Sequence, residues 1–360
     1  MVNPIVIIIS MLASGTVNTV VKKIMYQTEG YNIQLETQLY TTPWWCTLIM
    51  FFGESLCLIA FYISKKESKI NPTGKLSYPK FIIMITLLAT CDLLQTTLTG
   101  IGLLYCPASI TQILRGFLIV LVMVSARIFL KRVPSTHQLF GVCMACVGLI
   151  FVGISAVMNE GSTGGISGII LGICLTLVAQ IFSSVQFVFE EKFMKNNDIS
   201  SLFLVGWEGI MGSFLCLGVF LPACYFISGS DHGSYENVVN SSFMMFMNGK
   251  LFGLQFGYFI SIAFFNYTAI TMSKVLSSTH RALIDSLRTC FVWVVMVILY
   301  YSISSHDYGE KLTYYSILQF AGFLFMISGT LIHNDVKNLG SKLMQKLKIK
   351  SGEVKWLRVR

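Results

Sequence analysis

Arg281, Asp285 and Arg288 stand at i, i+4 and i+7 in the run Thr279-His280-Arg281-Ala282-Leu283-Ile284-Asp285-Ser286-Leu287-Arg288. On a helix that spacing forms one stripe. An ionisable group in hydrocarbon costs about 3 kcal/mol or more, so it persists where it faces a cavity or a counter-ion. Asp285 can pair with either arginine, which leaves the other guanidinium fork for a phosphate or carboxylate. Arg115, with Gln112 one turn before it, supplies a second cation in an apolar setting. The alternative for all three arginines is a buried ion-pair network with Glu54, Asp92, Glu208 or Asp285. Glu54 and Asp92 are candidates for charge balance or a proton carrier. Asn266 and Gln186 complete the candidate solute-binding set, with Asn18, Gln95 and Gln180 as further polar positions. His280 lies off the stripe, where a proton-linked switch competes with a simply packed ring.

Catalysis is poorly served by these residues. The chain has no Walker loop, no G-x-S-x-G and no H-E-x-x-H, and His137, His232, His280, His306 and His333 show no metal spacing. No enzyme activity, cofactor or metal is expected. The ten cysteines fall mostly within apolar runs and read as small core residues, including Cys143-x-x-Cys146.

The elements that carry these residues are apolar. Hydrophobic residues make up 54% of the 360 and charged residues 12%, against roughly 25% charged in a soluble domain. Mean hydropathy is +0.69. Ten stretches approach the length of about 20 residues that a membrane helix needs. They are 4–24, 44–64, 80–99, 107–130, 135–157, 165–189, 201–228, 249–271, 277–302 and 313–332. The fold class expected is an all-α polytopic membrane protein. The first stretch lacks a basic leader and a cleavage site, and reads as a retained helix.

The +9 net charge does not point to nucleic acid, because the cations sort by side. Ten spans put 19 of the 26 Lys and Arg residues on one face and four on the other, with Arg115, Arg281 and Arg288 inside helices. Both termini are therefore expected in the cytosol. The sequon Asn240-Ser241-Ser242 falls on the opposite face, while Asn266 heads a second match inside a span. The tail from Lys337 to Arg360 alternates lysine with apolar residues and could lie on anionic lipid or serve as a solvated anchor.

The pattern Q-x-x-G-x(6)-G occurs at Gln138, Gly141 and Gly148, and again at Gln319, Gly322 and Gly329. Glu54 and Glu208 likewise occupy the second span of each half, and Asp92 matches Asn266. The register between the fourth and ninth spans stays open, with Arg115 laid on Arg288 or on Arg281. Two five-helix repeats with both termini on one side are inverted, as in many transporters, with a solute site at the repeat interface near mid-membrane. The expected organisation is a first repeat over 1–160, a second over 161–334, and a basic tail over 335–360.

Several stretches resemble the F-type members of solute carrier family 35, above all the F6-like ones. They are Gly53 to Tyr62, Gln112-Ile113-Leu114-Arg115-Gly116, Gln186 to Phe193 with its Glu-Glu-Lys-Phe, Ile262 to Asn266, and Asp285-Ser286-Leu287-Arg288-Thr289. The resemblance implies the drug/metabolite transporter (EamA-like) superfamily, ten helices and a central cavity. It also implies an endomembrane such as lysosome, vacuole or Golgi, and an association with the mitochondrial adenine nucleotide carrier. The lysine-rich tail and asymmetric loops depart from the pattern. The expected function is secondary active transport of a small polar, anionic or zwitterionic metabolite by alternating access. The alternative is a non-transporting membrane scaffold that regulates a partner. Expected partners are a small-molecule solute and membrane lipid, with a homodimer allowed and no nucleic acid.

Overall fold

The computed structural model describes residues 4–64, 73–105, 114, 116–159, 166–229, 231–302, 311–335 and 338–346. The main helices are α1 (Pro4–Tyr26), α2 (Pro43–Ile63), α3 (Tyr78–Tyr105), α4 (Leu118–Leu130), α5 (Thr136–Asn159) and α6 (Ile166–Asn197). They continue with α7 (Ser201–Phe226), then α8 (Val238–Met247), α9 (Gly249–Val275), α10 (Ser278–Ser302), α11 (Ser316–His333) and α12 (Leu339–Lys346). A short antiparallel hairpin, β1 (Glu29–Tyr31) and β2 (Thr37–Leu39), joins α1 to α2.

Among the described residues, eight helices are long and apolar enough to cross a membrane: α1, α2, α3, α5, α6, α7, α10 and α11. The two remaining predicted spans correspond to α9 and α4. The helix α9 carries Gln255, Ser261, Thr268 and Thr271 on buried positions, and α4 has only 13 described residues. Within α7, Cys216–Phe220 forms a π-turn just before Pro222. Proline has no N–H and its ring crowds the carbonyl four residues back, so a widened turn accommodates it within a continuing helix.

The chain forms two compact units, each discontinuous in sequence. The first comprises Met1–Leu93, Phe193–Lys274 and Phe291–Glu310, and the second Leu94–Lys192, Val275–Cys290 and Lys311–Arg360.

In the first unit α2 meets α7 along Gly206, Gly209 and Gly212. A Cβ on Gly209 would lie 2.5 Å from the Ser55 nitrogen. One end of this unit is closed by polar side chains. Glu236 accepts the Trp44 and Trp45 N–H groups at 2.9 and 2.8 Å, capping the start of α2. Asn240 donates to Gln38 Oε1 at 3.2 Å and to Asp231 Oδ1 at 2.9 Å, and accepts from the Ile33 N–H at 3.2 Å. Asn240 is 1% exposed, so the sequon asparagine is occupied as a structural strut in this fold.

The second unit is organised by α5 against α11. The repeated glycines meet crosswise. A Cβ on Gly141 would sit 2.6 Å from the Gly329 carbonyl oxygen, and one on Gly148 would sit 2.5 Å from that of Gly322. The two helices are antiparallel along this seam, with backbone against backbone. Without a hydrophobic drive between helices in lipid, such close approach is a main source of association.

Two outcomes follow from this packing. Gly148→Val or Gly322→Val should lower Tm in detergent, by the equivalent of about 1–3 kcal/mol or more for overpacking, whereas Gly253→Ala, in open space, should leave it unchanged. Burial first, and then the nearby Asp231 charge, pushes Glu236 up to about 7, against the lowering by its two backbone bonds and Lys22. The folded chain thus holds this proton to higher pH than the unfolded chain does. Its contribution is complete below about pH 4.5 and lost as pH rises through 7, a span worth about 3 kcal/mol. Melting curves should show Tm falling from pH 5 to pH 8, and Glu236→Gln should flatten that slope.

Candidate functional site

The predicted site residues divide between the two units. In the first, Glu54 on α2 accepts a hydrogen bond from the Asn266 amide on α9. Gly53 makes this meeting feasible, because its missing Cβ would lie 2.6 Å from the Phe259 carbonyl of α9. Glu54 is 3% exposed and Asp92, on α3, is also buried. Tyr258 lies within electrostatic reach of both carboxylates. The Lys22 ammonium stands 5.6 Å from the centres of the Tyr26 and Tyr258 rings. Lys22, near the end of α1, thus reaches this cluster by cation–π contact. Asn18 and Glu208 are buried as well.

In the second unit the arginines of α10 have different surroundings. Arg281 is not paired with Asp285. Its guanidinium bonds Glu190 on α6 and stacks 3.7 Å from the centre of the Phe187 ring. The next glutamate, Glu191, accepts the Ser278 N–H and hydroxyl, both at 2.7 Å, and the Arg132 guanidinium at 2.9 Å. Glu190 and Glu191 therefore fasten the first turns of α10 to α6, where the helix dipole favours negative charge. The structure buries both completely. Spacing along α6 gives no hint of the pairing, since the partners lie 87 and 91 residues away.

Arg288 instead approaches Asp285 at 3.2 Å. Its side chain is 16% exposed and that of Asp285 25%, against 7% for Arg281 and 0% for Glu190. Gln186 is buried one turn before Glu190, and Gln95 accepts from Ser183. Arg115 and Gln112 lie outside the described residues. At the start of α10, His280 meets Ser277 and stands edge-on to His333, ring centres 5.2 Å apart. No cluster of three or more His, Cys, Asp or Glu suited to a metal occurs among the described residues.

Long apolar helices carrying buried, mutually satisfied charge define a multi-pass membrane protein. The CRT-like, chloroquine-resistance transporter-like family model matches residues 5–251. Solute carrier family 35 member F6 of Homo sapiens is 30% identical over 338 residues, covering 90% of this chain and 86% of that protein. An uncharacterised protein of Schizosaccharomyces pombe is 29% identical over 333 residues, covering 91% and 96%. A solved crystal structure shares the fold, with TM-score 0.60 at 11% identity, over 95% of this chain and 98% of its own. The chain belongs to the CRT-like, chloroquine-resistance transporter-like family.

Removing one partner of a buried ion pair strands the other, at a cost of about 3–5 kcal/mol. Arg281→Ala and Glu190→Ala should each lower Tm markedly, and the double variant should recover part of the loss. Melting temperatures of the purified variants test this.

Proposed function

We propose that the chain is a secondary active transporter of a small polar metabolite, anionic or zwitterionic, working by alternating access. Arg288 holds the anionic part of the solute, a nucleotide-linked compound or an organic acid. The observation that carries the assignment is the contrast between two arginines on one helix. Arg281 is committed to Glu190 and Phe187, whereas Arg288 and its partner Asp285 remain partly accessible. An accessible guanidinium can exchange a carboxylate on its own helix for one on a solute. Glu54, Asp92 and Asp285 set the charge balance or carry a coupling proton, and Arg115, Gln112, Gln186 and Asn266 supply further contacts. Family membership and the similarity to the human solute carrier support transport.

The same reading takes the chain as ten spans in two inverted five-helix repeats, with 1–160 and 161–334 as the halves. Both termini and the tail over 335–360 face the cytosol, in an endomembrane. The crosswise glycines of α5 and α11 support inversion, because the repeated motif meets its copy antiparallel.

The test is uptake into proteoliposomes across nucleotide sugars, nucleotides, amino acids and organic anions, with thermal shift as a parallel screen. A ligand at 100 times its Kd stabilises by about 2.7 kcal/mol. One anionic class should be taken up, and Arg288→Ala should lower its kcat/KM at least about tenfold with Tm unchanged, while Arg288→Lys retains part. Undiminished uptake by Arg288→Ala at equal incorporation overturns the assignment. No uptake of any compound by folded protein turns the reading to a scaffold that regulates a partner.

A further inference from the structure

A pocket in the second unit, away from Asp285 and Arg288 along α10, is lined by Arg132, Gln138, Ser277, Thr279, His280 and His333, with Met123, Ala126 and Pro134 as its apolar wall. It offers about 40 Å³ to the centres of water-sized atoms. A cavity needs roughly 10–15 Å³ of such space to hold one water, so a small polar group has room here.

The chemistry of the wall is specific. His333 is 3% exposed. Its Nδ1 lies 3.1 Å from the Gln138 carbonyl oxygen. A carbonyl only accepts, so Nδ1 carries the proton and donates it, and Nε2 presents a lone pair. Among the described residues that Nε2 meets no hydrogen-bond donor. A buried acceptor in this condition wants a donor from a ligand. Arg132 and Ser277 are already engaged with Glu191 and His280, but a guanidinium has five N–H groups and can bond a second acceptor. Arg132, whose side chain is 44% exposed, offers guanidinium N–H groups, and the Ser277 and Thr279 hydroxyls lie at the start of α10, the positive end of its dipole. A ligand that donates to His333 and accepts from Arg132 would use both. A phosphate group carrying one proton does both, and near its second pKa of about 6 that protonated form is at hand. The surroundings are mixed in sign: the Glu191 carboxylate bonds the same Arg132 at 2.9 Å and Asp335 lies beside Gly340, while two lysines stand nearby. Gly340, at the start of α12, packs on the Ile332 carbonyl and on His137, and Lys342 and Lys346 are exposed on that helix.

We propose that this pocket binds a phosphate group, with the phosphate hydroxyl donating to His333 Nε2 and the phosphate oxygens accepting from Arg132. The group belongs to a phosphorylated lipid headgroup or to a soluble phosphate. Occupancy ties the connection before α5, the start of α10 and the end of α11 to one anion. The site is separate from the solute contacts of Arg288 and does not depend on them.

The test uses the full chain in nanodiscs and reads binding rather than transport. In phosphatidylcholine discs, inorganic phosphate is titrated while Tm is followed, with sulfate, which carries no proton at neutral pH, as the size control. In a second arm, discs containing about 5% phosphatidylinositol 4-phosphate are compared with phosphatidylcholine alone. Stabilisation by inorganic phosphate at least about tenfold stronger than by sulfate is expected, and it identifies soluble phosphate as a sufficient source. Stabilisation in the phosphoinositide discs alone assigns the site to the lipid headgroup. In either case His333→Gln and Arg132→Gln should weaken the effect about tenfold or more. Arg132 is the more accessible of the two, so it keeps the test open if the His333 variant does not fold. No stabilisation in either arm, equal effects of sulfate and phosphate, or an undiminished effect in a folded variant overturns the proposal.

Discussion

An ionised side chain withdrawn from water needs a counter-charge within reach, and in a chain with so few charges those pairings decide which helices can be neighbours. The junction of α6 and α10 shows the constraint at work. Two successive glutamates lie fully buried, and each answers a different demand. Glu190 neutralises Arg281, and Glu191 satisfies the first turn of α10 together with Arg132. Remove the glutamates and an arginine and a helix end would both be stranded in a medium that solvates neither. Such a junction adds little net stability over an apolar one. What it confers is register, because only one sliding position of α10 on α6 matches both pairs.

The two units solve their packing by different means. In the first, small residues let helix backbones touch, and that closeness is what delivers Glu54 to Asn266. At one end of that unit, a polar network of Glu236, Asp231, Asn240 and Gln38 replaces apolar packing. In the second unit glycine meets glycine across α5 and α11, while charge does the work between α6 and α10. The partly accessible pair Asp285 and Arg288 then sits on a helix whose first turns are already fixed. Fixing the support while leaving the contact group exchangeable suits a residue that has to hold and release a solute.

Much of this was legible in the sequence. Apolar length located the eight long apolar helices, since nothing else satisfies backbone groups in lipid, though α6 runs eight residues beyond its expected end and α8 and α12 were not expected. The Q-x-x-G-x(6)-G motif was found as a repeat, and the structure shows why the glycines belong there: they are the seam itself. Of the two partners the sequence allows Asp285, the structure takes Arg288, while the Glu190 partner of Arg281 is not among those the spacing offers. Spacing along one helix cannot reveal a partner on another, such as Glu190 on α6. The burial of Asn240 was equally illegible, because a tripeptide carries no information about burial. His333 drew no attention either, as its meaning lies in which ring nitrogen is already engaged.

The crosswise glycine seam constrains change in the chain over longer times than folding. At most helix contacts a larger residue on one side can be offset by a smaller one opposite. Here both sides are already at the minimum, and the obstructing atoms are carbonyl oxygens of the backbone. No replacement on α11 can make room for a Cβ on α5. The four positions 141, 148, 322 and 329 are therefore closed to reciprocal drift, and the spacing of seven residues within each helix cannot lengthen or shorten on one side alone. A duplication that placed the same motif in two helices would lock both copies at once, each held by the other's lack of a side chain.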